Sequence, residues 1–153
     1  MTTAIYVLLL VIGIAAVLAV VFVPIVLVFR RRYHAAAARL AADIEAETVI
    51  RPLEKGVYEG ATAPGYPGVR NNGRIALTRR RLVFVTVTGK TIDVPLDTLA
   101  GLREAKVFNG AVAGGFTHLI VRTADGEIGF YVSDNAAWLS ALGDATGLTP
   151  ERS

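Results

Sequence analysis

The run Ala4–Phe29 holds 26 consecutive residues without a charged side chain, most of them Val, Leu, Ile or Ala. As an α-helix it extends about 39 Å at ~1.5 Å per residue, against a bilayer hydrocarbon core of about 30 Å. The run therefore reads as a transmembrane helix that crosses with some tilt. A cleavable secretory signal would show a basic leading segment, an apolar core of about 7–15 residues and a small-residue cleavage site. None of these is present around Met1-Thr2-Thr3 and the run that follows.

Orientation follows from the flanks. Arg30, Arg31 and Arg32 close the run and Arg39 follows shortly, whereas Thr2 and Thr3 carry no side-chain charge. Positive residues favour the cytoplasmic side, so the N-terminus is expected outside the plasma membrane and the remainder inside. Tyr6 and Tyr33 fall at the two expected interfaces, where amphipathic rings are favoured. Gly13 and the Ala15/Ala19 pair give a spacing that lets a second helix approach, although apolar spans contain such pairs by chance. Pro24 removes a backbone donor where no water replaces it, and is the place to expect a kink.

With this segment set aside, the rest of the chain has a soluble composition; the excess of the overall apolar share, 53%, over the usual globular level sits almost wholly in the first thirty residues. The net charge of +3 arises from 16 basic and 13 acidic residues, and the block 30–32 supplies three of the basic ones. A near-neutral domain argues against nucleic acid as a partner. The absence of cysteine excludes disulfides, thiolate metal sites and cysteine nucleophiles. With only His34 and His118, material for a histidine triad or a metal cluster is lacking. Asp93 and Asp97 are close in sequence without the marks of a tuned acid–base pair. No catalytic residue, cofactor or metal is expected.

The organisation reads as a span at 4–29, a basic juxtamembrane and stalk helix at 30–50, a domain at 51–148 and a tail at 149–153. Residues 33–47 are alanine-rich and free of helix breakers, with Ala35, Ala38, Ala42, Leu40 and Ile44 forming a thin apolar face. Arg51-Pro52 is expected to end helical character, since the residue before proline is pushed toward extended geometry. Beyond it the period changes to two. Strands are predicted over 57–61, 74–78, 82–88, 91–94, 102–108, 117–123 and 127–132. Thr88-Gly89-Lys90 and Ala124-Asp125-Gly126 supply hairpin turns, so the meander should be antiparallel. A last helix follows, capped by Ser133 or Asp134, with Trp138, Leu142 and Ala145 on one face, Leu139 beside them, and Gly147 and Pro150 at its end. Strands followed by one amphipathic helix give an α+β, mainly β fold: a seven-stranded bent antiparallel sheet or partial barrel capped by the C-terminal helix.

The segment from Gly73 to Phe84, GRIALTRRRLVF, resembles the second-to-third strand signature of bacterial pleckstrin-homology-like (PH-like) and GRAM-type domains. Ile92-Asp93-Val94-Pro95-Leu96, with Leu99, resembles the fourth strand and the turn after it. Trp138 stands where that superfamily places its helix tryptophan. The resemblance covers residues 57–148. The alanine, glycine and arginine bias and the single N-terminal span are similar to those of small actinobacterial membrane proteins that carry such a domain. The resemblance implies a non-enzymatic binding or scaffolding module, since members mostly recognise lipid headgroups, peptides or partner proteins.

Candidate contacts follow from this. Arg70, Arg74, Arg79, Arg80 and Arg81, with Lys55 and Lys90, could converge at the mouth of the first hairpins and hold anionic headgroups. The favoured reading of Arg79-Arg80-Arg81 is nevertheless a solvated polar turn between two strands. Tyr66, between two Pro/Gly pairs in 63–68, could face a bilayer or a partner, or belong to a plain loop. The stretch 109–115, NGAVAGG, lacks the Gly-Lys-Ser/Thr ending and following helix of a phosphate cradle, and reads as a flexible hairpin connection. The expected partners are the bilayer and another membrane or membrane-associated protein, with two alternatives: an anionic-lipid sensor, or an accessory subunit of a transporter or biosynthetic complex bound through its helix.

Overall fold

The computed structural model describes residues 2–45, 47–112 and 114–151; residues 152 and 153 of the expected tail, and Ala113 of the 109–115 connection, lie outside the described residues. Helix α1 runs unbroken from Thr2 to Glu45, through Pro24 and the basic block, so the predicted span and stalk form one helix. It is long and apolar enough to cross a membrane. From Ile5 to Phe29 its large apolar side chains are all exposed.

Among the described residues, nine strands and one further helix follow: β1 (Val49–Ala61), β2 (Asn71–Thr78), β3 (Arg81–Thr86), β4 (Thr91–Pro95), β5 (Leu99–Ala105), β6 (Val107–Phe108), β7 (Ala111–Val112), β8 (His118–Thr123), β9 (Gly126–Val132) and α2 (Asn135–Thr146). Seven strands form one antiparallel sheet in the order β4-β3-β2-β1-β9-β8-β5. A 3-10 turn over Leu96–Thr98 joins the two edge strands. The 13-residue β1 makes the sheet bend, because its first part pairs with β2 and its last part with β9. This is the outline expected from the sequence: a bent seven-stranded antiparallel sheet with a C-terminal helix.

Period-two alternation sends Tyr58, Ile75, Leu77, Leu82, Phe84, Leu119, Val121, Ile128 and Phe130 inward. Tyr58, Phe84 and Phe130 meet at centroid separations of 5.6–6.0 Å. Helix α2 closes the sheet with Trp138, Leu139 and Leu142, each such buried side chain contributing about 1.5–3 kcal/mol. Of the two candidate caps, Asp134 is the one used: its carboxylate accepts from the backbone N–H of Ala137 at 3.0 Å, and Gly147 ends the helix at a left-handed φ of 74°. The Trp138 ring lies under the Arg51 guanidinium at 4.8 Å, and its indole N–H points to the Glu54 carboxylate at 3.4 Å.

The outer face of the sheet is covered in two places. The end of α1 lays Leu40 and Ile44 on Ala76, Val83 and Val85, with Leu53 beside them. The β6–β7 hairpin lays Phe108 over Ala105 and Ile120. Phe108 fits because residue 129 is glycine; a Cβ there would overlap its ring.

Three expectations need correction. Strand β1 starts at Val49, not at residue 57, so the stretch expected to be stalk through residue 50 gives up Val49 and Ile50 to the sheet. Helical character accordingly ends at Glu45, ahead of Arg51-Pro52, and Pro52 sits where the β1–β2 register shifts and β1 has no second neighbour, so its missing backbone donor is tolerated. The single strand expected over 102–108 is two, because the chain leaves the sheet at Ala105 and turns back over its outer face.

Candidate functional site at the helix–domain junction

The hairpin β2–β3 sets the geometry. Its turn, Arg79-Arg80, lies at one end, and at the other Gly73 pairs with Thr86, followed by the turn 87–90. Five residue steps separate Gly73 from Thr78, about 17 Å at ~3.4 Å per residue. Helix α1 runs along this distance. Arg32 shares a cleft with Thr88 and Gly89, and Tyr33 shares one with Val57, Asn72, Val87 and Tyr131. Glu47, just beyond the helix, reaches Thr78 and Arg81 at the other end. Arg32 and Tyr33 thus mark the helix-entry end of the sheet, and Arg79-Arg80 the remote end.

Glu47 locks the remote end. It accepts from the Thr78 hydroxyl at 2.6 Å and from Arg81 at 2.8 Å, while the other arm of Arg81 reaches Asp93 at 2.9 Å. The Thr78 hydroxyl, opposed by burial and aided by Arg81, holds the Glu47 carboxyl below its usual range.

The basic residues singled out in sequence do not converge. Arg79 and Arg80 are exposed at the remote end. Arg81 is held between Glu47 and Asp93. Arg74 lies within β2 opposite Lys55 and Val85. Lys90 is exposed in the turn near Arg32, and Arg70 reaches the buried Glu59 at 3.1 Å. Tyr66 is half-buried and packs on the core, and burial raises its phenol pKa. The loop that carries it also supplies the Pro67 carbonyl to the Tyr58 hydroxyl at 2.6 Å; burial pushes Tyr58 up to about 12. Arg30, Arg31 and Arg32 are exposed on α1, Tyr33 is half-buried, and Tyr6 and Tyr33 stand about 40 Å apart along the helix axis at ~1.5 Å per residue.

Sequence reasoning missed a buried polar group beneath the β6–β7 hairpin. Glu59 and His118 are both almost fully buried; His118 Nδ1 lies 3.9 Å from the Glu59 carboxylate, and its Nε2 lies 3.2 Å from the Ala111 carbonyl. His118 Nδ1 has no hydrogen-bond partner among the described residues. Their positions, 59 residues apart in the chain, gave no local signal; only the β1–β9–β8 order brings them together. On the same outer face Arg103 grips Glu127 bidentately at 2.8 and 2.6 Å, and holds its carboxyl below the usual range. Among the described residues no group of three or more His, Cys, Asp or Glu side chains could hold a metal ion.

No known protein family matches this sequence, and no curated protein matches it. Among solved structures, the chain is similar to the C-terminal domain of an unknown protein from Leishmania infantum, with a TM-score of 0.50 and 17% identity over 80% of this chain and 97% of that one. It also resembles a chain of the Spt16D Pob3N heterodimer, with a TM-score of 0.46 and 10% identity over 66% of this chain and 54% of that one. At such identities the first likeness concerns the fold alone.

Proposed function

We propose that this chain is a single-pass plasma-membrane protein whose PH-like domain serves, on the cytoplasmic face, as a non-enzymatic interaction or scaffolding module for another membrane or membrane-associated protein. The observation that carries the proposal is one helix with two environments. From Ile5 to Phe29 it is apolar and uncovered, and without a break it continues to Leu40 and Ile44, which are buried on the sheet. An uncovered apolar cylinder of this length is stable in lipid or against other apolar helices, and Arg30–Arg32 at its end favour a cytoplasmic domain. The continuous helix fixes the height and rotation of the domain, which raises its effective concentration toward neighbours in the same membrane.

Binding is favoured over catalysis by the filled interior and by the way charged groups neutralise one another. The inward positions are occupied by packed side chains, and Arg51, Arg81 and Arg103 all sit in intramolecular ion pairs. Enzyme sites instead concentrate unpaired or strongly tuned groups in a deep pocket.

The test is proximity labelling in native membranes followed by cross-linked capture, with the full-length chain compared with a version carrying a foreign span in place of residues 4–29. Capture of one defined partner by both places recognition in the domain. Loss of that partner with the foreign span overturns the proposal in favour of an accessory subunit bound through its helix. Failure of both versions to capture a defined protein overturns it in favour of lipid recognition.

A further inference from the structure

We infer that the helix-entry end of the domain lies against the headgroup layer of the membrane, with Val87 and Phe116 inserted at the bilayer interface. The inference rests on the transmembrane reading of residues 4–29 and adds to it a second contact with the same leaflet.

Phe29 ends the uncharged run, and Tyr33 follows about 6 Å further along the helix at ~1.5 Å per residue. The headgroup layer is itself about 5–7 Å thick on each side, given ~40–45 Å for the whole bilayer and ~30 Å for its core. Tyr33 therefore stands at the level of the headgroups. The residues that share its cleft, Val87 and Tyr131 among them, stand beside it. Phe116 extends this surface, with its ring edge-on to Tyr131 at 6.0 Å.

Val87, which lines the Tyr33 cleft, and Phe116, which packs on Tyr131 of that cleft, are among the apolar side chains that the domain exposes. Val87 is 43% exposed at a tight turn and Phe116 is 62% exposed after two glycines, each at a position where a polar residue is the ordinary choice. Aromatic and aliphatic side chains at the interface are favoured by partial burial among lipid chains.

The charges at this end fit an anionic leaflet. Lys90 is exposed in the same turn as Val87, Lys55 lines the Tyr33 cleft, and Arg30–Arg32 enter beside them. The nearby acids are engaged within the domain: Asp134 caps α2, and Glu104 accepts from Thr117 at 2.8 Å. The occupant is thus the lipid surface itself, and the remote end carrying Arg79 and Arg80 is left facing the cytoplasm.

The natural absence of cysteine makes the test direct. Full-length single-cysteine variants Leu18→Cys, Val87→Cys, Phe116→Cys and Arg80→Cys are labelled with an environment-sensitive fluorophore and reconstituted into vesicles of mixed zwitterionic and anionic phospholipid. Quenching is read with lipids that carry the quencher at the headgroup or deep in the chain. The expected result is deep quenching at residue 18, and headgroup-level quenching at residues 87 and 116 severalfold stronger than at residue 80. Deep quenching at 18 with 87 and 116 no better quenched than 80 overturns the docking and leaves the span intact. No quenching at 18 overturns the transmembrane reading and the docking with it.

Discussion

The carboxylate of Glu59 is buried with one strong cation beside it, Arg70, whose own side chain is largely in solvent. A buried charge that loses its partner keeps its desolvation cost, so Arg70→Ala should destabilise the domain by about 1–3 kcal/mol. Removing the charge as well, in the double variant Arg70→Ala with Glu59→Gln, should recover much of that loss, because the amide has no charge to desolvate. Thermal melts of the full-length protein in detergent, followed by near-ultraviolet circular dichroism of Trp138, check both; a double variant no more stable than the single one speaks against a charge-driven effect. The Arg103–Glu127 pair makes a pH prediction. Since Arg103 depresses the Glu127 pKa in the folded state, the stabilisation is present above the unfolded value, near 4.5, and is lost as pH falls through the folded value. Melting temperature should therefore fall more steeply between about pH 5 and pH 3 for the wild type than for Glu127→Gln, in line with the ordinary carboxylate range.

Among the elements, the stalk end of α1 decides whether the domain hangs from the membrane or is clamped to it. Leu40 and Ile44 are each only 4% exposed, and truncating either to alanine forfeits about 2–5 kcal/mol of packing. The double variant Leu40→Ala with Ile44→Ala should leave the sheet folded but release the helix. Spin labels at cysteines replacing Arg39 and Asp125 should then give a broad distance distribution where the otherwise native protein gives a narrow one. The sequence showed this clamp only as a thin apolar face without a partner, because Ala76, Val83 and Val85 belong to strands whose inner neighbours are apolar too, which hides the alternation. The hairpin turns at Gly89 and Gly126 and the face of α2 were legible from local chemistry. The start of β1 was not, since Arg51-Pro52 reads as a break until the register shift that houses proline is seen. The β6–β7 hairpin was missed for a related reason. Phe108 looked like the end of a strand, whereas Asn109 and Gly110, at φ 48° and 79°, form the tight turn that folds it back. The basic residues do not form one cluster because strand length, which sequence proximity conceals, places Arg79 and Lys90 in the turns at opposite ends of β3.

At the scale of the whole molecule, two mechanisms could hold the domain at the membrane: the rigidity of α1, and the affinity of the helix-entry surface for lipid. They respond differently to the same lengthening of the chain. Seven alanines inserted between Arg32 and Tyr33, beyond the basic block that closes the span, extend the helix by about 10 Å at nearly the same rotation, because seven residues come close to two full turns. A helix that stays rigid then carries Val87 and Phe116 clear of the headgroup layer. Seven residues of alternating glycine and serine add a flexible tether instead, with an average span of about 15 Å, so the domain is free to settle back. Headgroup-level quenching at residue 116 should be lost with the alanine insert and retained with the glycine–serine insert, while deep quenching at residue 18 persists in both. Retention in both would mean that lipid affinity bends or breaks the extended helix. Loss in both would mean that the surface has little affinity of its own and that α1 alone sets its height, in which case the exposed Phe116 is better placed to meet a protein.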